Sequence, residues 1–259
     1  MQKRRRNKIA LIFLLVMAVV MVAGCSPNMS HITEKDRVNG GFWDKFLVIP
    51  MSDLLDWFEG VLGNYGLSIL VVTLIVRFII APLYWKQIKS MEALKKLQPK
   101  MKKLQDKYKN NPQQMQQEML KLYQTHGYNP ASGCLPMIIQ FPILIAFYQA
   151  IVRNPHIADS NFLWLQLGKP DPYLILPLLA AATTYIQFIV SQAGVDNPQQ
   201  AQMNKIMMWV FPVMIAILAY QFASALSLYW VYGNAIYILQ YLLIFNPLKR
   251  KLVQEGATR

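Results

Sequence analysis

The chain has 259 residues, a formal net charge of +13 and 54% hydrophobic residues, with only 15% charged against roughly a quarter in soluble globular domains. Several apolar runs reach membrane-spanning length with almost no charge, which argues against a large soluble helical protein and for an all-α polytopic membrane protein. The basic excess gathers ahead of the first apolar run, between Lys86 and Lys121, and at the C-terminus. That bias marks cytoplasmic faces through the positive-inside rule, not a nucleic-acid substrate.

Residues 1–24 have the anatomy of a signal peptide. Lys3, Arg4, Arg5, Arg6 and Lys8 form the basic region, followed by an apolar stretch and small residues. Val22-Ala23-Gly24-Cys25 resembles a bacterial lipobox, which makes Cys25 the expected lipidation site on the outer face. Cleavage there would lower the formal charge from +13 to +8. The alternative is an uncleaved anchor helix with an incidental cysteine. Cys134, the one other cysteine, reads as an inert packed thiol, so no intrachain disulfide is expected.

Residues 25–66 form a lipid-anchored external segment. Up to Gly60 it holds six acids against three bases. Leu54, Leu55, Trp57, Phe58, Val61 and Leu62 alternate with acids at helical spacing, predicting an amphipathic helix in the outer interface with Ser52 as its cap.

Leu67 to Trp85 is the first expected span, and it carries Arg77 near its middle. An arginine at that depth costs roughly 2.5–3.5 kcal/mol on insertion scales. No apolar run of the chain supplies an Asp or Glu to offset it. Water, neutral polar groups or a visiting molecule must therefore solvate the guanidinium.

Residues 86–130 hold ten lysines and three acids. Met91, Leu94, Leu97, Met101, Leu104 and Tyr108 recur at three- and four-residue steps, Asn110-Asn111-Pro112 interrupts, and Met115, Met119 and Leu122 resume. The pattern predicts a cytoplasmic helical hairpin, with a bend at Pro99. The methionines suit either the hairpin core or a surface accepting varied apolar partners, and Met91, Met101, Met115 and Met119 are the candidates for the latter.

Residues 131–245 hold four further spans, Leu135–Val152, Tyr173–Val190, Ile206–Phe222 and Leu226–Phe245. Residues 246–259 are a short basic tail. Charge bias places the N-terminus outside and the C-terminus in the cytoplasm. Thr73, Gln140, Thr184, Gln187, Trp230 and Asn234 are polar groups within the spans. Gathered around Arg77 they would form a wet polar groove; otherwise they are ordinary interhelical hydrogen bonds, the expected reading for Asn234.

Enzyme chemistry finds no footing. His31, His126 and His156 lie far apart, no span carries an acid for base catalysis or metal binding, and no glycine-rich phosphate loop is present. No metal or other cofactor is expected.

VTLIVRFIIAPLYWKQIKSM, the lysine-rich hairpin, KLYQTHGYNPASGCLPMIIQFPILIAFYQAI and FASALSLYWVYGNAIYILQ, in that order behind the lipobox, strongly resemble the YidC/Oxa/Alb membrane protein insertases, Gram-positive type. The resemblance implies five transmembrane helices around a polar groove, with Arg77 as the groove arginine and polar groove positions at Gln187 and Trp230. It also implies nascent membrane proteins and membrane lipid as partners, with the Sec translocon, and with the ribosome only weakly because the tail is short. The location implied is the bacterial plasma membrane. An anion-selective channel and a structural lipoprotein scaffold remain as alternative classes.

Overall fold

The computed structural model describes residues 31–128, 135–192 and 198–250; Cys25, Cys134 and the signal segment 1–24 lie outside them. Among the described residues the chain is almost wholly helical, with one two-stranded sheet.

Helix α1 (Glu34–Asn39) opens on a capping box, in which Thr33 and Asp36 satisfy each other's backbone donors. A π turn at Asp44–Val48 runs directly into α2 (Ile49–Leu62). Ser52 is therefore not a cap. It lies inside α2, 2% exposed, and accepts a hydrogen bond from the Asn154 side chain at 3.0 Å. The helix needs no side-chain cap at its start because the π turn already supplies the preceding carbonyls. The apolar positions that were expected to share one face divide between two: Leu55 is buried with Ile49 and Ser52, while Trp57, Val61 and Leu62 are exposed. Gly63 ends it in the left-handed region, φ 68°.

Helix α3 (Tyr65–Lys107) starts at Asn64, whose side chain accepts from the Gly66 N–H. At 43 residues it is about 65 Å long, roughly twice a hydrocarbon core. The first span and the first arm of the hairpin are thus one helix, with no boundary after Trp85. Pro82 and Pro99 lie within it, both on its exposed side. Asn111 caps α4 (Pro112–Thr125) and Pro112 occupies its first turn. The hairpin closes on Leu94, Leu97 and Met101, with Met119, Leu122, Tyr123 and Tyr128 against them.

Helix α5 (Leu135–Arg153) leads at the opposite end of the bundle to the short α6 (Pro155–Asp159) and a hairpin of β1 (Asn161–Phe162) and β2 (Leu165–Gln166), paired Asn161 to Gln166 and Phe162 to Leu165. The Phe162 ring fills the space where a side chain at Gly66 would stand. Helices α7 (Ile175–Gln192), α8 (Pro198–Gln221) and α9 (Ser224–Gln240) complete the bundle, and α9 continues through a π turn at Tyr241–Phe245 to residue 250. Asp171 starts α7 by accepting from the Tyr173 and Leu176 N–H groups and from Trp164 Nε1.

Two helical stretches, Tyr65–Lys107 and Ser224–Arg250, are long and apolar enough to cross a membrane, and Ile175–Ser191 and Met208–Gln221 are shorter apolar helices. α9 is the axis of the packing. Ala225, Leu226, Leu228 and Tyr229 join Ile69 and Val72 of α3 and Phe147 and Ile151 of α5 in the main core. Leu74, Phe78 and Ile79 of α3 face outward, as do Val213 and Ile217 of α8, the side that lipid suits better than water.

Candidate functional site: a buried arginine on the central helix

The buried face of α3 repeats at three- and four-residue steps through Ile69, Val72, Thr73, Arg77, Ile80, Tyr84 and Ile88. Arg77 therefore points into the bundle toward α9. Its side chain leaves the residue only 6% exposed. Nη1 donates to the Tyr84 hydroxyl at 3.1 Å, two turns along the same face. Cζ lies 5.8 Å from the Tyr84 ring centre and 5.9 Å from that of Tyr237, within cation–π range. The two rings meet edge to face at 5.2 Å.

Among the described residues no carboxylate pairs with Arg77, and the Tyr84 hydroxyl is its one hydrogen-bond acceptor. A guanidinium presents five N–H donors. Most of its directional bonding capacity is left unused in a buried position. Of the water, neutral polar groups or visiting molecule expected to solvate this group, the structure shows a neutral hydroxyl, and two tyrosine rings and the α9 backbone also cover it, because Tyr84 and Tyr237 fall at helical spacings that bring both over the charge.

The other expected groove residues divide. Gln140 of α5 donates from Nε2 to the Tyr229 hydroxyl at 2.7 Å, and its Oε1 is buried without a partner among the described residues. Gln187 Oε1 of α7 and both side-chain polar atoms of Gln240 are buried and unpartnered in the same way. Burying such an amide atom unsatisfied costs about 1–3 kcal/mol. Thr73 is committed locally, its hydroxyl donating to the Ile69 carbonyl at 2.6 Å. Thr184 donates to the Ala180 carbonyl and accepts from Asn234 Nδ2 at 2.8 Å, while Thr183 accepts from the same amide at 3.1 Å. That is the interhelical bond expected of Asn234. Trp230 is half-buried and packs between the main core and the Ala180, Ile215 and Ala219 cluster.

The hairpin methionines divide too. Met101 is 3% exposed inside the hairpin core, with Met119 packed on it, so Met101 presents no surface to a partner in this conformation. Met115 is half-buried. Met91 helps line a cavity of about 40 Å³ with Gln87, Glu92, Tyr237, Tyr241 and Lys249. Tyr237 thus faces this cavity and the Arg77 charge together.

Four site residues escaped the sequence reading: Tyr84, Tyr229, Gly233 and Tyr237. Tyr84 is seven residues after Arg77, and the other three share a stripe of α9 at four-residue steps. These spacings were available; which helix faces which was not.

The described residues hold no group of three or more His, Cys, Asp or Glu side chains able to bind a metal ion. What the geometry defines is a helical bundle, two of its helices long and apolar enough to cross a membrane, with a cation and several amide groups held inside it. The 60Kd inner membrane protein family model matches residues 57–251. The chain is 45% identical to membrane protein insertase YidC 2 of Listeria innocua, covering 98% of this chain and 89% of that one. It is 43% identical to membrane protein insertase MisCA of Bacillus subtilis, with 93% of each covered. A solved structure described as an active YidC insertase with its first transmembrane domain resolved superposes with a TM-score of 0.60 at 28% identity. That match covers 80% of this chain and 48% of the other, so this chain spans about half of that protein. The chain belongs to the YidC/Oxa/Alb family, Gram-positive type.

Proposed function

We propose that this protein is a membrane protein insertase and chaperone, not an enzyme, and that Arg77 is where an incoming polypeptide first binds. The observation carrying this reading is a buried guanidinium that has one neutral acceptor and no carboxylate among the described residues. A client with a short acidic external tail supplies the missing partner. Its carboxylate meets the free N–H donors in a low-dielectric setting, where the attraction is larger than in water, and the two-pronged geometry of guanidinium and carboxylate favours it further. The buried amides of Gln140, Gln187 and Gln240 then accept and donate along the entering backbone, and the client's apolar helix partitions into lipid. Five spans enclose this groove, with Cys25 lipidated outside and the C-terminus in the cytoplasm of the bacterial cell membrane. Sec translocon and ribosome are further partners, the latter weak because the basic tail is short. No nucleotide is used.

The covered state of Arg77 is the resting state in this reading, with Tyr84 holding the place of the client carboxylate. Insertion assays on Arg77→Ala and Arg77→Lys test it. The alanine variant is expected to lose insertion of acid-tailed clients, and the lysine variant to retain part of it. Full activity of the alanine variant across all clients rejects the mechanism.

A further inference from the structure

Glycine is a poor interior helix residue compared with alanine, so one in the middle of a buried helix needs a packing reason. Gly233 is such a residue, near the middle of α9 and buried. A Cβ added there would stand 2.8 Å from Arg77 Nη2, 3.4 Å from Nε and 3.5 Å from Cζ. The Nε–Nη2 edge of the guanidinium therefore points at the α9 backbone, into the space that the missing side chain leaves. Its position is fixed on three sides: by the Tyr84 hydroxyl at Nη1, by the rings of Tyr84 and Tyr237, and by the bare backbone at Gly233.

We infer that Gly233 is a positioning residue for client binding, setting where the Arg77 guanidinium sits without touching the client itself. The inference rests on the role proposed for Arg77. A methyl group at 233 meets the free end of a flexible side chain, so the helices need not move apart; the guanidinium moves instead. Displaced from its seat, it loses its alignment for a client carboxylate, while the fold is kept. Lysine at 77 has no planar fork to collide with that methyl group, and so the effect of position 233 depends on the residue at 77.

The test is a double-mutant cycle on the full-length protein in anionic-lipid vesicles, comparing Gly233→Ala, Arg77→Lys and both together. The probe is a single-spanning client with one Asp in its short external tail, and the same client with Asn there. Gly233→Ala is expected to slow insertion of the Asp client about tenfold, given how steeply misplacement of a binding group by about an ångström is felt. It should leave the Asn client unchanged and add nothing in the Arg77→Lys background. Wild-type rates with both clients, or an equal loss in both backgrounds, overturn the inference. If Gly233→Ala lowers the amount of folded protein, the same cycle is read on folded yield, and a defect that persists with Arg77→Lys makes the glycine a helix contact only and overturns it. An Arg77→Ala control with full activity would sink the underlying mechanism instead, whatever Gly233 does.

Discussion

Glu92 on α3 and Lys249 beyond the π turn that follows α9 meet at 3.0 Å, joining the hairpin arm to the end of the central helix. Lys95 reaches the same carboxylate at 3.0 Å. This three-member ion pair borders the small cavity that Tyr237 and Tyr241 share with Met91.

Burial, the largest single influence, would raise the Glu92 pKa, but the hydrogen bonds and the charges of Lys249 and Lys95 together outweigh it and hold it below the ordinary carboxylate value. Lys95 is lowered, first by burial; burial also lowers Lys249 more than any other single influence, but the bond to Glu92 and the neighbouring Tyr241 and Glu92 charges together outweigh it and raise it. A depressed carboxylate stabilises the folded form fully above its unfolded pKa and loses that contribution as pH falls through the folded one. The junction is therefore intact at neutral pH and opens on acidification. Hydrogen exchange of the segment around Lys249 should rise only as pH falls below the ordinary carboxylate value, and Glu92→Gln should reproduce the rise at pH 7.

Tyr84→Phe removes the hydroxyl that Arg77 bonds while leaving its ring in place. The expected cost is about 1.5–3 kcal/mol of stability, the usual range for a hydrogen bond to a charged group. Tyr237→Phe keeps its ring over the charge and removes no hydrogen bond to Arg77, so it should cost less than Tyr84→Phe. Denaturation in mild detergent measures both, and in an Arg77→Ala background the Tyr84 effect should shrink.

Asn234→Ala removes both bonds from α9 to α7, at Thr183 and Thr184. Interhelical hydrogen bonds inside membranes average about 0.6 kcal/mol and reach about 1.7 kcal/mol. A loss in that range, with client specificity unchanged, is expected from unfolding titrations paired with insertion assays.

At the opposite end, Arg153 at the end of α5 bonds Asp44 at 2.6 Å and lies 3.6 Å from Asp36. Its backbone carbonyl accepts from the Ile32 N–H at 3.1 Å, and Asn154 donates to Ser52 and Asp56. Together they fasten the segment after residue 31 to the bundle. Arg153→Ala removes the cation from two partly exposed acids and should cost about 1 kcal/mol. Limited proteolysis should then cut the α1 region first.

Apolar run length and turn chemistry make the helices readable in the sequence, because both are local. Asn111-Pro112 is legible as a helix start since the amide caps and the proline suits the first turn. The unbroken α3 is less so: a change from apolar to lysine-rich composition at Trp85 looks like an end of structure, whereas it records only a change of surroundings around a continuing helix. Arg77 stands out from the sequence because charge in an apolar run is costly wherever the run packs. Its seat does not, since Tyr84, Gly233 and Tyr237 acquire their roles only from the register of α3 against α9. Ser52 failed as a cap for the same kind of reason, its hydroxyl being claimed by Asn154 102 residues away.

The most direct test exchanges charge on both partners at once. Insertion rates are measured for a single-spanning client with Asp or Asn in its external tail, against the wild-type protein and Arg77→Gln. If the buried guanidinium binds the client carboxylate, the Asp-to-Asn change slows insertion by about tenfold or more with arginine present and has little effect without it, a coupling of about 1.4 kcal/mol or more. Equal effects of the tail charge on both proteins, at equal amounts of folded protein, would contradict the account.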